Sequence, residues 1–129
     1  MRKFRFSKLV RDNIVEKIIS GGGNPIWRKL SLEEYVVELK KKLIEETKEL
    51  DEAKGDEVLK ELADVQEIID NLVEAIGSTK KDLSEQQVKK NNQNGSFKNR
   101  QYIDLVEVAD DAVEIDYYLK NSDRYPEIK

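Results

Sequence analysis

Two long amphipathic stretches follow each other directly in this chain, and between them they leave few folds open. The first runs from about Leu32 to Ala53 and repeats its apolar residues on a helical period: Leu32, Tyr35, Val36, Leu39, Leu43, Leu50 and Ala53. The second runs from about Asp56 to Ile76, with Val58, Leu62, Val65, Ile69, Leu72 and Ile76 as its core line. Ser31 followed by Glu34 is a capping box, in which each residue satisfies a backbone N–H of the other, and it marks where the first helix starts. Gly77 closes the second. The break at Lys54-Gly55-Asp56 is short, so the two helices are expected to run antiparallel and side by side.

Four acidic residues sit on these helices as Glu46-x-x-Glu49 and Glu61-x-x-Asp64. Residues three apart share a helix face, with Cβ atoms about 5–6 Å apart. At about 100° per residue, the first apolar line leaves one central position unfilled, and Glu46 occupies it. Glu49 lies at the border of the stripe, and Glu45 points further out, toward solvent. Glu61 flanks the second core line, with Asp64 on the same side. A buried carboxylate without a partner is costly, and four that converge repel one another unless a cation lies between them. Oxygen-only ligands favour a hard ion, Mg²⁺ or Mn²⁺. The alternative is ordinary surface charge, since such pairs are common on acidic helices.

The 129 residues fit one domain. With no cysteine or histidine, the chain has no disulfide, no thiol nucleophile, no imidazole base and no ordinary zinc or iron–sulfur site. It shows neither a signal-peptide pattern nor a membrane-length apolar run, so the expected compartment is the cytoplasm. The net charge of −4 is unevenly spread: residues 1–30 hold eight basic and two acidic side chains, residues 43–76 twelve acidic and three basic. That polarity suits a ligand carrying both phosphate and metal. The acidic majority disfavours nucleic acid.

The remaining elements are shorter. Phe4, Phe6 and Leu9 alternate with basic residues and suggest a strand, with Pro25 to Leu30 as its extended partner. Arg11 to Ser20 reads as a helix ended by Gly21-Gly22-Gly23. Lys80 to Asn91 reads as a polar helix capped by Ser78-Thr79, and Asn91 to Gly95 as a loop. Residues 101–108 fit a strand or the start of a helix, and Asp110 to Lys120 a helix. Trp27 has two readings, a core side chain or a platform for stacking on a base. Tyr117 and Tyr118 read as packing. The expected class is mainly α, with short peripheral strands near the N-terminus and around 101–108, as a single domain with a C-terminal extension from about 109.

Glu45-Glu46-Thr47-Lys48-Glu49 followed by Glu61-Leu62-Ala63-Asp64 resembles the E-E-x-x-E and E-L-A-D signature of the all-α, MazG-like nucleotide pyrophosphohydrolases. Lys8-Leu9-Val10-Arg11-Asp12 is similar to the KLVRDK opening of the phosphoribosyl-ATP pyrophosphohydrolase-like branch. Asn94-Gly95-Ser96-Phe97 with Arg100 is similar to that branch's RGGF-x-x-R ending. The resemblance covers about residues 7–105. Asn13 and Val15 stand where the branch has lysine and often proline, and Asn94 and Ser96 replace arginine and glycine. These departures touch substrate contacts and leave the acidic ligands intact.

The resemblance implies an antiparallel helical bundle that associates with copies of itself. It also implies Mg²⁺-dependent hydrolysis of a nucleoside triphosphate, non-canonical or surplus, to a monophosphate and pyrophosphate. Glu46, Glu49, Glu61 and Asp64 are the implied metal ligands, and Glu49 or Glu46 the carboxylate that orients the water. Lys8 and Arg11, just before a helix, are candidates for holding phosphates or simply a basic surface. Lys90 and Arg100 flank the Asn-Gly loop and by resemblance close over the triphosphate. Two other readings stay open: phosphoribosyl-ATP hydrolysis, and a helical interaction module without catalysis.

Overall fold

A computed structural model describes residues 1–129, and its regular structure is entirely helical. In chain order the helices are α1 (Ile14–Ser20), α2 (Leu32–Glu52), α3 (Glu57–Ala75), α4 (Lys80–Asn94) and α5 (Ile115–Lys120). None is long and apolar enough to cross a membrane. The chain divides into two compact units, Met1–Gln93 and Asn94–Lys129.

In the first unit, α2 begins as its sequence dictates. The Ser31 hydroxyl accepts from the Glu34 backbone N–H at 3.2 Å, and the Glu34 carboxylate accepts from the Ser31 N–H at 3.2 Å. Arg28 then forks onto the same carboxylate at 3.1 and 2.7 Å. Hydrogen bonds from Arg28, and then from the Ser31 backbone, hold Glu34 down to about 2.

The chain reverses over Ala53–Asp56. Gly55 makes the reversal at φ 57, a left-handed conformation that costs a glycine least. α3 ends with the N–H of Ser78 bonded to the Val73 carbonyl and that of Gly77, at φ 78, bonded to Glu74. This double closure satisfies carbonyls that the helix end would otherwise leave open. α4 opens on a second reciprocal cap, Thr79 with Asp82, both bonds 3.1 Å.

α2 and α3 are the two helices that pack on each other, and they do so antiparallel. The Tyr35 hydroxyl, near the start of α2, donates to Asn71 Oδ1, near the end of α3, at 3.4 Å. Nearer the turn, Glu46 meets Glu61 and Asp64. Two apolar side chains are buried in this seam, Leu39 at 3% exposed and Ile68 at 8%.

Several elements differ from expectation. No strand forms at residues 4–9, 25–30 or 101–108. A strand exists only through hydrogen bonds to a neighbour, and no backbone bond joins these segments to one another. α1 starts at Ile14 rather than Arg11, and α5 at Ile115 rather than Asp110, because turns occupy the residues before each. α4 continues through Asn91 to Asn94, since asparagine and glutamine cost a helix only tenths of a kcal/mol each. On α3 the buried side chain is Ile68, whereas Leu62 and Ile76 are 45% and 61% exposed. The apolar line read from the sequence is centred about 80° around α3 from Ile68; its other members, Val58, Val65, Ile69 and Leu72, are half-buried. Trp27 is 59% exposed and not in the core.

The second unit has one short helix and an aromatic cluster. The Tyr117, Tyr118 and Tyr125 ring centroids lie 5.5 to 5.7 Å apart, within the range of favourable edge-to-face pairs. Arg124 stands 5.5 Å from the Tyr125 ring centroid. The two tyrosines expected to pack therefore do so around a third.

Leu39→Ala should cost about 2–5 kcal/mol, because it removes one of two buried apolar anchors. Leu59→Ala, at a position 75% exposed, should change stability by no more than about 0.5 kcal/mol. Urea unfolding of both variants tests this, and equal losses would remove Leu39 from its anchoring role.

Candidate metal centre

The acidic residues owe their meeting to helix phase. Counting about 100° per residue, Glu46 lies about 20° from the buried Leu39 on α2. On α3, Glu61 lies about 20° and Asp64 about 40° from the buried Ile68. All three therefore point into the α2/α3 seam, roughly eight residues from the reversal on either side. Glu49 lies about 80° from Leu39, on the flank, and is exposed.

One carboxylate oxygen from each of Glu46, Glu61 and Asp64 lies within 4.8 Å of the other two. An octahedral Mg²⁺ with bonds of about 2.1 Å separates its ligand oxygens by up to about 4.2 Å. Glu46 is 9% exposed. Glu46 Oε2 and Glu61 Oε2 are both buried without a hydrogen-bond partner. Orphaned oxygens of this kind are expensive, and a hard cation among three carboxylates would satisfy them. The residues therefore fit a divalent ion.

The electrostatics agree. Burial, and then the neighbouring Glu49 and Asp64 carboxylates, push Glu46 up to about 7, with Lys42 pulling weakly the other way. Lys42 Nζ is 3.9 Å from Glu46 Oε1. Burial, Glu49 and Asp64 also push Glu61 up. Glu49 thus acts on both neighbours from outside the convergent set of three. Burial pushes Glu45 up as well, but Lys8 and Lys42 outweigh it and hold that carboxyl below its usual range. Adjacent glutamates on one helix are in opposite states, Glu45 paired and Glu46 strained.

The N-terminal segment supplies the positive rim. Lys8 Nζ lies 3.3 Å from Glu45 Oε1 on α2, and Arg11 Nη2 lies 2.6 Å from Asp64 Oδ1 on α3. Of the four basic residues singled out in the sequence, these two reach the acidic seam. Lys90 is exposed toward the far end of α4, whose ion pair to α3 is made at its other end, by Lys80 to Asp70 at 3.5 Å. Arg100 belongs to the second unit and has φ 55, uncommon for a residue with a side chain. Lys42 was missed in the sequence, although its spacing to Glu46, one turn along α2, is the i,i+4 ion-pair signature. Glu45, whose phase points it toward solvent, carries two ion pairs.

Comparison with known proteins returns no match to a family model, a curated protein or a solved structure.

The Glu46 shift links pH to stability. Its folded pKa of about 7 exceeds its ordinary 4.5, so the folded state holds the proton more tightly than the unfolded chain. That contribution is full below about pH 4.5 and is lost as pH rises through about 7. Without divalent ions, the melting temperature should carry a falling component over this window. Glu46→Gln should remove that component and melt above the wild type at pH 7.5. Thermal scans from pH 5 to 8 in chelator decide it, and an unchanged slope would show that Glu46 is not the strained group.

Proposed function

We propose that this chain is a divalent-metal-dependent nucleotide pyrophosphohydrolase that splits a nucleoside triphosphate between its α and β phosphates. One observation carries the reading: three carboxylate oxygens converge in a helical seam, two of the carboxylates having an orphaned buried oxygen. The basic rim and the resemblance to the MazG-like signature support it further.

Glu46, Glu61 and Asp64 would hold the ion. A bound Mg²⁺ or Mn²⁺ supplies neutralisation of phosphate oxygens and a water of lowered pKa. The chain's own residues divide the remaining work. Glu49, exposed on the flank and outside the convergent set, orients the attacking water and takes its proton. Lys8 and Arg11, on the positive rim, grip phosphate oxygens, Arg11 with a planar fork suited to them. For Lys90 and Arg100 the resemblance is the sole support.

We also propose that the working form pairs α2 and α3 with those of a second copy. Two buried apolar side chains are a small core for helices of 21 and 19 residues. Two members of the α3 apolar line, Leu62 and Ile76, remain exposed. A symmetric copy would cover that line and complete a four-helix bundle.

Purified protein with Mg²⁺ and a nucleotide panel, phosphoribosyl-ATP included, tests the activity by chromatography of early products. A monophosphate and pyrophosphate are expected. Diphosphate with orthophosphate would overturn the assigned bond, and no turnover of any substrate would favour an interaction module. Asp64→Asn should lower kcat at least about 100-fold while the fold persists. Light scattering should give twice the mass of one chain, and Leu62→Lys should reduce it to that of a monomer. A wild-type monomer would remove the paired form.

A further inference from the structure

Arg11 is tied to one of the three candidate metal ligands. Its Nη2 donates to Asp64 Oδ1 at 2.6 Å, the shortest ion pair in the protein. Three residues earlier, Lys8 is tied to Glu45 on the facing helix at 3.3 Å. The segment thus straddles the α2/α3 seam, one foot on each helix. Residues 8–10 have no regular structure, and the Arg11 side chain is 59% exposed, so it can leave Asp64 by side-chain rotation alone.

The acidic cluster does not stand by itself. Glu46, nine-tenths buried, aims an unpartnered Oε2 into it, so the seam is short of positive charge even with Arg11 in place. Lys42 reaches Glu46 only at 3.9 Å. The guanidinium neutralises the outer carboxylate and leaves the inner ones strained.

We propose that Arg11 is a tethered cation that competes with the divalent ion for Asp64, and that an ion entering the seam releases it to bind phosphate. This rests on the metal reading given above. The ion must break the Arg11–Asp64 pair, which weakens its binding when it arrives alone. Once displaced, the guanidinium stands at the rim with its fork unpaired, next to where a metal-bound phosphate would lie. Metal and triphosphate then bind cooperatively, each favouring the arrangement the other needs. The chain would take up metal with nucleotide more readily than either alone.

The two halves of the proposal have opposite signs in one variant. In Arg11→Ala, Mn²⁺ alone should bind about two- to fivefold tighter, the range for removing an exposed ion pair that opposes binding. At saturating Mn²⁺, a non-hydrolysable triphosphate analogue should bind about tenfold more weakly, for loss of a charge-assisted fork. Arg11→Lys should fall between wild type and Arg11→Ala in both titrations. Lys17→Ala changes the net charge equally, on α1 and away from any ion pair, and should leave the metal affinity unchanged. Calorimetric titration of metal and analogue separately reads both effects without turnover. If Arg11→Ala binds Mn²⁺ no more tightly than wild type, while the analogue weakens, Arg11 is only a phosphate ligand and the competition is overturned. If both affinities fall together, Arg11 is structural and the proposal fails. Equal tightening by Lys17→Ala would reduce the effect to net charge and also overturn it. If neither protein binds Mn²⁺, the metal reading itself fails and takes this inference with it.

Discussion

The seam between α2 and α3 does two jobs that compete. It is where the first unit excludes water, through Leu39 and Ile68, and it is where Glu46, Glu61 and Asp64 are brought together. A carboxylate at a core position forfeits the apolar contacts a leucine would make there and adds desolvation cost. The hairpin accepts this in the middle of its best-packed face. Its remaining devices lie at the ends: the Ser31–Glu34 box with Arg28, the glycine reversal, and the closure at Gly77. Ends that are well tied allow a middle that is poorly satisfied.

The charge layout follows from the same seam. Each acidic group near it has found a different answer to burial. Glu45 is paired twice, Asp64 is paired once, and Glu46 and Glu61 each keep an oxygen without a partner. The cations come from two sources, Lys42 one turn back on α2 and the N-terminal segment from outside the hairpin. That segment has little secondary structure of its own before α1, and two ion pairs tie it across the seam. Such exposed pairs are individually weak, and a weak tie suits a group that has to let go.

Much of the hairpin could be read directly from residues. The capping box, the glycine stops and the two helical periods are local signals, and α2 and α3 formed within a residue of where those signals put them. The acidic set was legible in part: Glu46, Glu61 and Asp64 were expected together, but in company with Glu49, whose oxygens lie outside the convergent three. What counting displaced was the centre of the α3 contact with α2, which falls at Ile68, about 80° from the middle of the line. The line Leu62, Ile69 and Ile76 is as periodic as the one containing Ile68, and a single chain cannot say which of two partners an apolar stripe will meet. The strands failed for a related reason: alternation in Phe4 and Phe6 describes a segment that fits a sheet, but a sheet needs a second edge. Arg11–Asp64 spans 53 positions and leaves no local mark at all.

The reversal at Ala53–Asp56 has a further consequence for how such a chain can vary. With four residues joining the helices, there is no slack to absorb a change in length. Inserting one residue between Glu46 and Gly55 would rotate Glu46 by about 100° and shift it about 1.5 Å along the axis, relative to Glu61. The carboxylate would leave the seam while every residue type stayed the same. A substitution on these helices acts at one position, whereas an insertion or deletion between positions 46 and 64 shifts every pairing across the seam at once. Drift in length is left to the segments with no helical partner to keep in step: residues 21–30, the far end of α4, and the second unit.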